Sequence, residues 1–202
     1  MSGIAVNEAD SVSNSSMSDS DEEWPSFESI MKKIRRNDAR VNHLDLGLER
    51  LDETFRNFTD SDWEKIGRDI TNNYQLEYLD FRGLNYQVIS CLFRGMTKSN
   101  SIDELRLCLR DREFSVAGLK CIMPFLQNTS CIRTLRLNGS SLGSEGFNFL
   151  IRMLHDSPIE YLWCSECGID DAFDIDANLF PRRLKIFSLR TNNIIAPRVA
   201  KY

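Results

Sequence analysis

The stretch 132–154, IRTLRLNGSSLGSEGFNFLIRML, changes its apolar period halfway along. Ile132, Leu135 and Leu137 are spaced so that the last two alternate, as on one side of a strand. Leu142, Gly146, Leu150 and Leu154 then recur every four residues, as on one face of a helix. The Gly-Ser-Ser-Leu-Gly run between them is turn material. One strand, one turn and one helix in about 25 residues cannot enclose a core. Such a unit is stable only when stacked beside copies of itself, so this stretch demands a repeat array.

The copies are present. The L-x-x-L-x-L spacing recurs as Val41/Leu44/Leu46, Leu76/Leu79/Phe81, Ile102/Leu105/Leu107, Ile132/Leu135/Leu137, Ile159/Leu162/Cys164 and Leu184/Phe187/Leu189, at intervals of 35, 26, 30, 27 and 25 residues. The four-residue stripe recurs as Phe58/Asp62/Ile66/Ile70, Leu84/Val88/Leu92/Met96, Phe114/Gly118/Ile122/Leu126 and Leu142/Gly146/Leu150/Leu154. Three of these stripes begin 18 residues before the next strand motif and the fourth begins 17 before it. Two periods locked in phase predict alternating strands and helices in one α/β array.

On these residues the chain resembles the leucine-rich repeat proteins of the ribonuclease-inhibitor-like subclass. Their repeat follows L-x-x-L-x-L-x-x-N/C-x-L and then steps through G, L and L. The segment 58–79 resembles the helix-to-strand half of that repeat, and 184–194 the strand half. The likeness covers residues 41–202 and implies a right-handed, horseshoe-shaped solenoid of about six repeats, with a concave parallel sheet and convex helices. The chain also departs from the pattern. The Asn/Cys position is filled by Cys167 and Asn192, weakly by Ser140, and by Glu49 and Arg110 elsewhere. The side-chain ladder that satisfies turn backbone groups is therefore expected to be patchy. The fifth repeat is short, with Pro181 expected to end its helix early. The sixth stops at Tyr202 before a helix can pair with its strand, which suggests an array incomplete at its C-terminal end.

Three segments follow. Residues 1–25 hold Glu8, Asp10, Asp19, Asp21, Glu22 and Glu23 with no Lys or Arg, and should form a disordered acidic, Ser-rich tail. Residues 26–40 read as a helical N-terminal cap, with Phe27, Ile30, Met31 and Ile34 in one stripe and Ser26 or Ser29 as N-cap. Residues 41–202 form the repeat domain. The net charge of −5 sits almost wholly in the tail, so the folded part is nearly neutral. That balance gives no support to nucleic-acid or membrane binding. No apolar run approaches the roughly 20 residues that span a bilayer, and the N-terminus lacks a signal pattern. Six cysteines are too few for a disulfide scaffold, so a reducing compartment is expected, the cytoplasm or alternatively the nucleus.

Motifs that suggest chemistry are weak. Trp163-Cys164-Ser165-Glu166-Cys167 has a W-C-x-x-C shape, but the repeat register makes Cys164 an inward strand residue and Cys167 a ladder residue. A zinc site would need two more ligands, and His43 and His155 are far along the array or alone. Gly139 to Gly143 matches G-x-S-x-G, but Leu142 belongs to the repeat pattern. The expectation is a non-enzyme without cofactor or metal.

The strand positions between and beside the leucines carry the information. Successive strand residues face opposite sides of a sheet. Position three of each repeat reads His43, Tyr78, Glu104, Thr134, Tyr161, Ile186; position five reads Asp45, Asp80, Arg106, Arg136, Trp163, Ser188; position seven reads Gly47, Arg82, Cys108, Asn138, Ser165, Arg190. Tyr, Trp and Arg dominate protein–protein hot spots. Trp163 is covered either by Tyr161 or Arg136 within the chain or by a partner. The arginines suggest either a phosphate-bearing ligand or a face paired internally with Asp80, Asp103 and Glu104. The expected function is non-catalytic binding of a protein partner through Tyr78, Asp80, Arg82, Arg106, Arg136, Tyr161, Trp163 and Arg190, by a monomer. The resemblance also implies two alternatives, a regulator of a small GTPase or the N-terminal part of a larger leucine-rich repeat sensor.

Overall fold

In the computed structural model each strand motif of the sequence forms a strand. The structure describes residues 26–47, 55, 57–109, 116–172 and 176–194. The acidic segment 1–25, the ladder positions Glu49 and Arg110, the stripe residue Phe114 and the residues after 194 lie outside that description. Strands β1 (His43–Gly47), β2 (Tyr78–Arg82), β3 (Glu104–Cys108), β4 (Thr134–Arg136), β5 (Tyr161–Trp163) and β6 (Ile186–Ser188) form one sheet in chain order. Every pairing is parallel. The observed register is the one the repeat spacing predicts: Leu44, Leu79, Leu105, Leu135, Leu162 and Phe187 are neighbours across the sheet.

Five helices are described: α1 (Phe27–Arg35), α2 (Asp60–Thr71), α3 (Tyr86–Gly95), α4 (Val116–Asn128) and α5 (Gly143–Leu154). The inward leucines of β1 to β5 and the helical stripes share one core, including Ile66, Ile70, Leu92, Ile122, Leu126, Leu150 and Leu154. That core lies on one side of the sheet, so the alternate strand residues occupy the other. Asp62 departs from its stripe position. It is exposed because it closes a capping box: its backbone N–H donates to Thr59 Oγ1 at 3.3 Å, and the Thr59 N–H donates to Asp62 Oδ2 at 2.9 Å.

Helix α1 begins at Ser26, whose hydroxyl accepts from Ser29 N–H at 3.3 Å. Met31 and Ile34 are buried, and Phe27 packs edge-on against Phe55. Asn73 Nδ2 donates to the Ile34 carbonyl at 2.7 Å, and Arg35 pairs with Asp69. At the other end no α-helix follows β5 among the described residues. A 3₁₀ turn, Ala177–Leu179, stands there before Pro181. Phe147 and Phe180 pack on Phe187, which stays only partly buried, as does Leu189.

Two glycines set the spacing of α2 and α3. A Cβ on Gly67 would overlap the Leu92 carbonyl oxygen, and one on Gly95 would overlap the Glu64 carbonyl oxygen. Each helix thus rests on the bare backbone of the other.

The turn ladder is patchy, as the sequence departures imply. Cys167 Sγ donates to the Leu137 carbonyl at 2.7 Å. Asn192 Nδ2 donates to the carbonyls of Cys164 at 2.7 Å and Leu189 at 2.9 Å, and its Oδ1 accepts from the N–H groups of Cys167 at 2.9 Å and Ile169 at 3.1 Å. Ser140, at the same position one repeat earlier, is buried with no partner for its hydroxyl. Its side chain is too short to serve as a rung. Removing Asn192 orphans several buried backbone groups at once. Asn192→Ala is expected to lower stability by about 2–3 kcal/mol, read as a shift of the urea midpoint; a shift below about 0.5 kcal/mol would remove the ladder from the account of stability.

Candidate protein-interaction face

The open side of the sheet carries a continuous row of charges and rings from β1 to β5. Arg82 Nη2 donates to Asp45 Oδ2, and Arg82 Nε lies 3.4 Å from Asp80 Oδ2. Arg106 Nη1 donates to Asp80 Oδ2 at 3.2 Å, and its Nη2 reaches Glu104 Oε1 at 3.5 Å. Arg136 Nε donates to the same Glu104 oxygen at 2.8 Å. The Arg136 guanidinium also lies over the Trp163 ring, 3.9 Å from its centroid. Tyr161 stacks beside Trp163 with ring planes 13° apart.

Strand register builds this row. Asp45, Asp80, Arg106, Arg136 and Trp163 are consecutive partners across the sheet, and His43, Tyr78, Glu104, Thr134 and Tyr161 form the adjacent line. A parallel sheet holds such neighbours about 4.8 Å apart, within reach of Arg–carboxylate bonds. The ion pairs, which run Asp45–Arg82–Asp80–Arg106–Glu104–Arg136, alternate in sign, so each arginine between two acids helps to fix both.

Seven of the eight residues expected from the sequence belong to this row. Arg190 does not; it is exposed in the turn after β6 and makes no ion pair among the described residues. Tyr78 is 41% exposed and available to a partner. Asp80 is only 5% exposed, closed in by its two arginines. Burial pushes its carboxyl above the usual range, and Arg106 and Arg82 offset this only in part. The alternative of internal cover for Trp163 is the one observed, by both Arg136 and Tyr161. Of the arginine stripe, Arg82, Arg106 and Arg136 are likewise paired internally, and, among the described residues, Arg190 is not. Asp45, Glu104 and His43 join the face although the sequence reading did not select them as contact residues; their signal was their place in the strand positions three and five.

A shallow groove of about 400 Å³ opens on this face between β1 and β3. His43, Tyr78, Asp80, Glu104 and Arg106 line it. A second groove, lined by Thr129, Arg152, His155, Asp156 and Arg183, follows the loops that lead into β4, β5 and β6.

The catalytic-looking motifs dissolve into the fold. Gly139 and Gly143 have positive φ, as a turn requires, and exposed Ser141 makes no side-chain hydrogen bond among the described residues. Cys164 and Cys167 are buried. The hydrogen bond with Cys167, reinforced by burial, raises the Cys164 thiol well above its usual range, the opposite of a reactive thiolate. Among the described residues no His, Cys, Asp and Glu side chains gather in a group able to hold a metal ion, and no helix is long and apolar enough to cross a membrane.

No protein-family model matches the sequence, and no curated protein matches it. Among solved structures the chain is similar to actin-binding site 2 of leiomodin-1, with a TM-score of 0.53 and 12% identity over 69% of this chain and 80% of that one. At that identity the likeness concerns the fold alone. Together with the register of the sheet, it identifies a leucine-rich-repeat-type α/β fold.

Proposed function

We propose that the chain is a non-catalytic protein-binding module, built as a ribonuclease-inhibitor-like solenoid capped by α1, whose concave sheet face holds a protein partner. The observation that carries this reading is the unbroken row from Asp45 to Trp163 on a face that none of the described helices covers. Charges held in place by neighbours lose little conformational freedom when a partner docks, which favours binding. Tyr78, Arg82, Arg106, Arg136, Tyr161 and Trp163 are the contact residues, with Asp80 beneath them and Arg190 at the margin. The module acts as a monomer in the cytoplasm and needs no cofactor.

Because a structural neighbour is an actin-binding site, actin is the first protein to test. Affinity capture with the wild type and with a Trp163→Ala/Arg136→Ala variant tests the face itself. The partner is expected to be retained at least about tenfold less by the variant, with the unfolding midpoint within a few degrees of the parent. Equal recovery by a folded variant would exclude this face.

A further inference from the structure

We infer that the cationic end of α1 is the docking site of the chain's own acidic segment, residues 18–23, and that Ser18 and Ser20 are substrates of an acid-directed protein kinase whose phosphates secure that docking. This site lies apart from the concave face and does not rest on the role proposed for it.

Residues 27–40 hold five cations, Lys32, Lys33, Arg35, Arg36 and Arg40, and two acids, Glu28 and Asp38. Two of the cations are engaged, Arg35 by Asp69 at 2.7 Å and Arg40 by Asp38 at 2.6 Å. Lys32, Lys33 and Arg36 make no ion pair among the described residues, and Lys32 and Arg36 are exposed. The packed neighbour α2 offers them no free acid. Its Asp69 holds Arg35, Asp62 closes the capping box, Glu64 meets Arg68 and Arg94, and Lys65 adds a further cation. Glu28 lies in the first turn of α1 and forms no ion pair among the described residues. Cations in a last turn complement the helix dipole. Unpaired ones four residues apart, as Lys32 and Arg36 are, also repel each other. An anion held there removes the repulsion.

The chain itself carries that anion. Residues 18–23 read Ser-Asp-Ser-Asp-Glu-Glu, with no cation among them. From Ser26 to Arg36 the helix rises about 15 Å. At about 3.4 Å per extended residue, the chain from Ser20 to Ser26 spans about 20 Å and from Ser18 about 27 Å, whereas from Glu23 it spans about 10 Å. Residues 18–21 can therefore double back along α1 as far as Arg36. Glu22 and Glu23 fall short of it and are within reach of the positive N-terminal end of the helix. Exposed carboxylate pairs contribute little each, so docking by Asp19 and Asp21 alone is weak. A phosphoserine brings about two charges and three acceptor oxygens. Ser18 is followed by Asp19 and, three residues on, Asp21; Ser20 is followed by Asp21 and, three residues on, Glu23. Carboxylates at those places are what a kinase with a basic substrate groove reads. In the transfer the serine Oγ attacks the γ-phosphorus of Mg-bound ATP, the bond to the ADP oxygen breaks, and the hydroxyl proton passes to the kinase's base. The phosphates then meet Lys32, Lys33 and Arg36 at the high effective concentration of a short tether.

The test treats the full chain with casein kinase 2 and Mg-ATP, maps phosphate by peptide mass spectrometry and follows the backbone amides by NMR. Phosphate is expected on Ser18 and Ser20. The amides of residues 32–40, at least 12 residues beyond Ser20, are expected to shift. Salt at about 1 M, where the screening length is about 3 Å, should return them to their starting positions. A Lys32→Gln/Lys33→Gln/Arg36→Gln variant should accept phosphate equally and dock at least about tenfold less. Should that variant not fold, Ser18→Ala/Ser20→Ala serves instead, and its amides 32–40 should stay in place on the same treatment. Absence of phosphate from both serines, unmoved amides 32–40 in the phosphorylated chain, shifts that persist at high salt, or equal shifts in the charge-removed variant would overturn the inference. Shifts that grow with protein concentration would put the segment on a second copy and overturn it as well.

Discussion

Leu135→Asp is expected to leave the chain without a cooperative unfolding transition. Leu135 is fully buried at the middle of the sheet, between Leu105 and Leu162. The substitution removes the apolar side chain, which costs about 2–5 kcal/mol, and places a carboxylate where no cation can reach. An unpaired buried charge adds about 3–5 kcal/mol. The sum rivals the whole stability of a domain, about 5–15 kcal/mol. Circular dichroism in a urea series measures it. Leu135→Met keeps the volume and is expected to cost below about 1.5 kcal/mol. A Leu135→Asp protein with the parental midpoint would refute the register of the array.

The second large effect concerns Gly95. On an isolated helix Gly→Ala stabilises by about 1 kcal/mol, so propensity alone predicts a gain. The structure predicts a loss, because the new methyl group would overlap the Glu64 carbonyl and press on Arg68 N. Both are backbone and cannot rotate away, so α2 and α3 must separate along their contact. Such overpacking costs about 1–3 kcal/mol and at times more; with backbone on both sides the upper end applies, leaving a net loss of up to about 2 kcal/mol after the propensity gain. Gly67→Ala meets the Leu92 carbonyl from the opposite side and should behave alike. Because either change forces the same separation, the double variant should cost less than the sum of the two. A Gly95→Ala protein more stable than its parent would show that the helices are not held at this distance.

The strand register was legible because the array repeats it: Leu44, Leu79, Leu105, Leu135 and Leu162 share one spacing, and sheet pairing follows from it. The same spacing placed Tyr78, Asp80, Arg106 and Trp163 on one face. Which of them bond was not legible, since pairing depends on the reach of flexible side chains. Glu104 illustrates this, gathering both Arg106 and Arg136 from two strands. The Gly67–Gly95 contact was equally hidden, because the glycines lie on different helices and mark no period of their own. Asp62 looked like a stripe residue by spacing, and its capping partner Thr59 decided otherwise.

The sheet does not keep one width. The pairings of β1 with β2 and of β2 with β3 run over five residues, whereas those from β3 to β6 run over three. The narrowing falls in the repeat where Ser140 fails to supply a rung. Arrays of stacked units behave as chains of nearest-neighbour couplings, and opening spreads from the weakest junction. Amide hydrogens of β5 and β6 should therefore exchange through openings that leave β1 to β3 closed. The half of the molecule that carries Tyr78 and Asp80 then remains ordered while the distal half breathes.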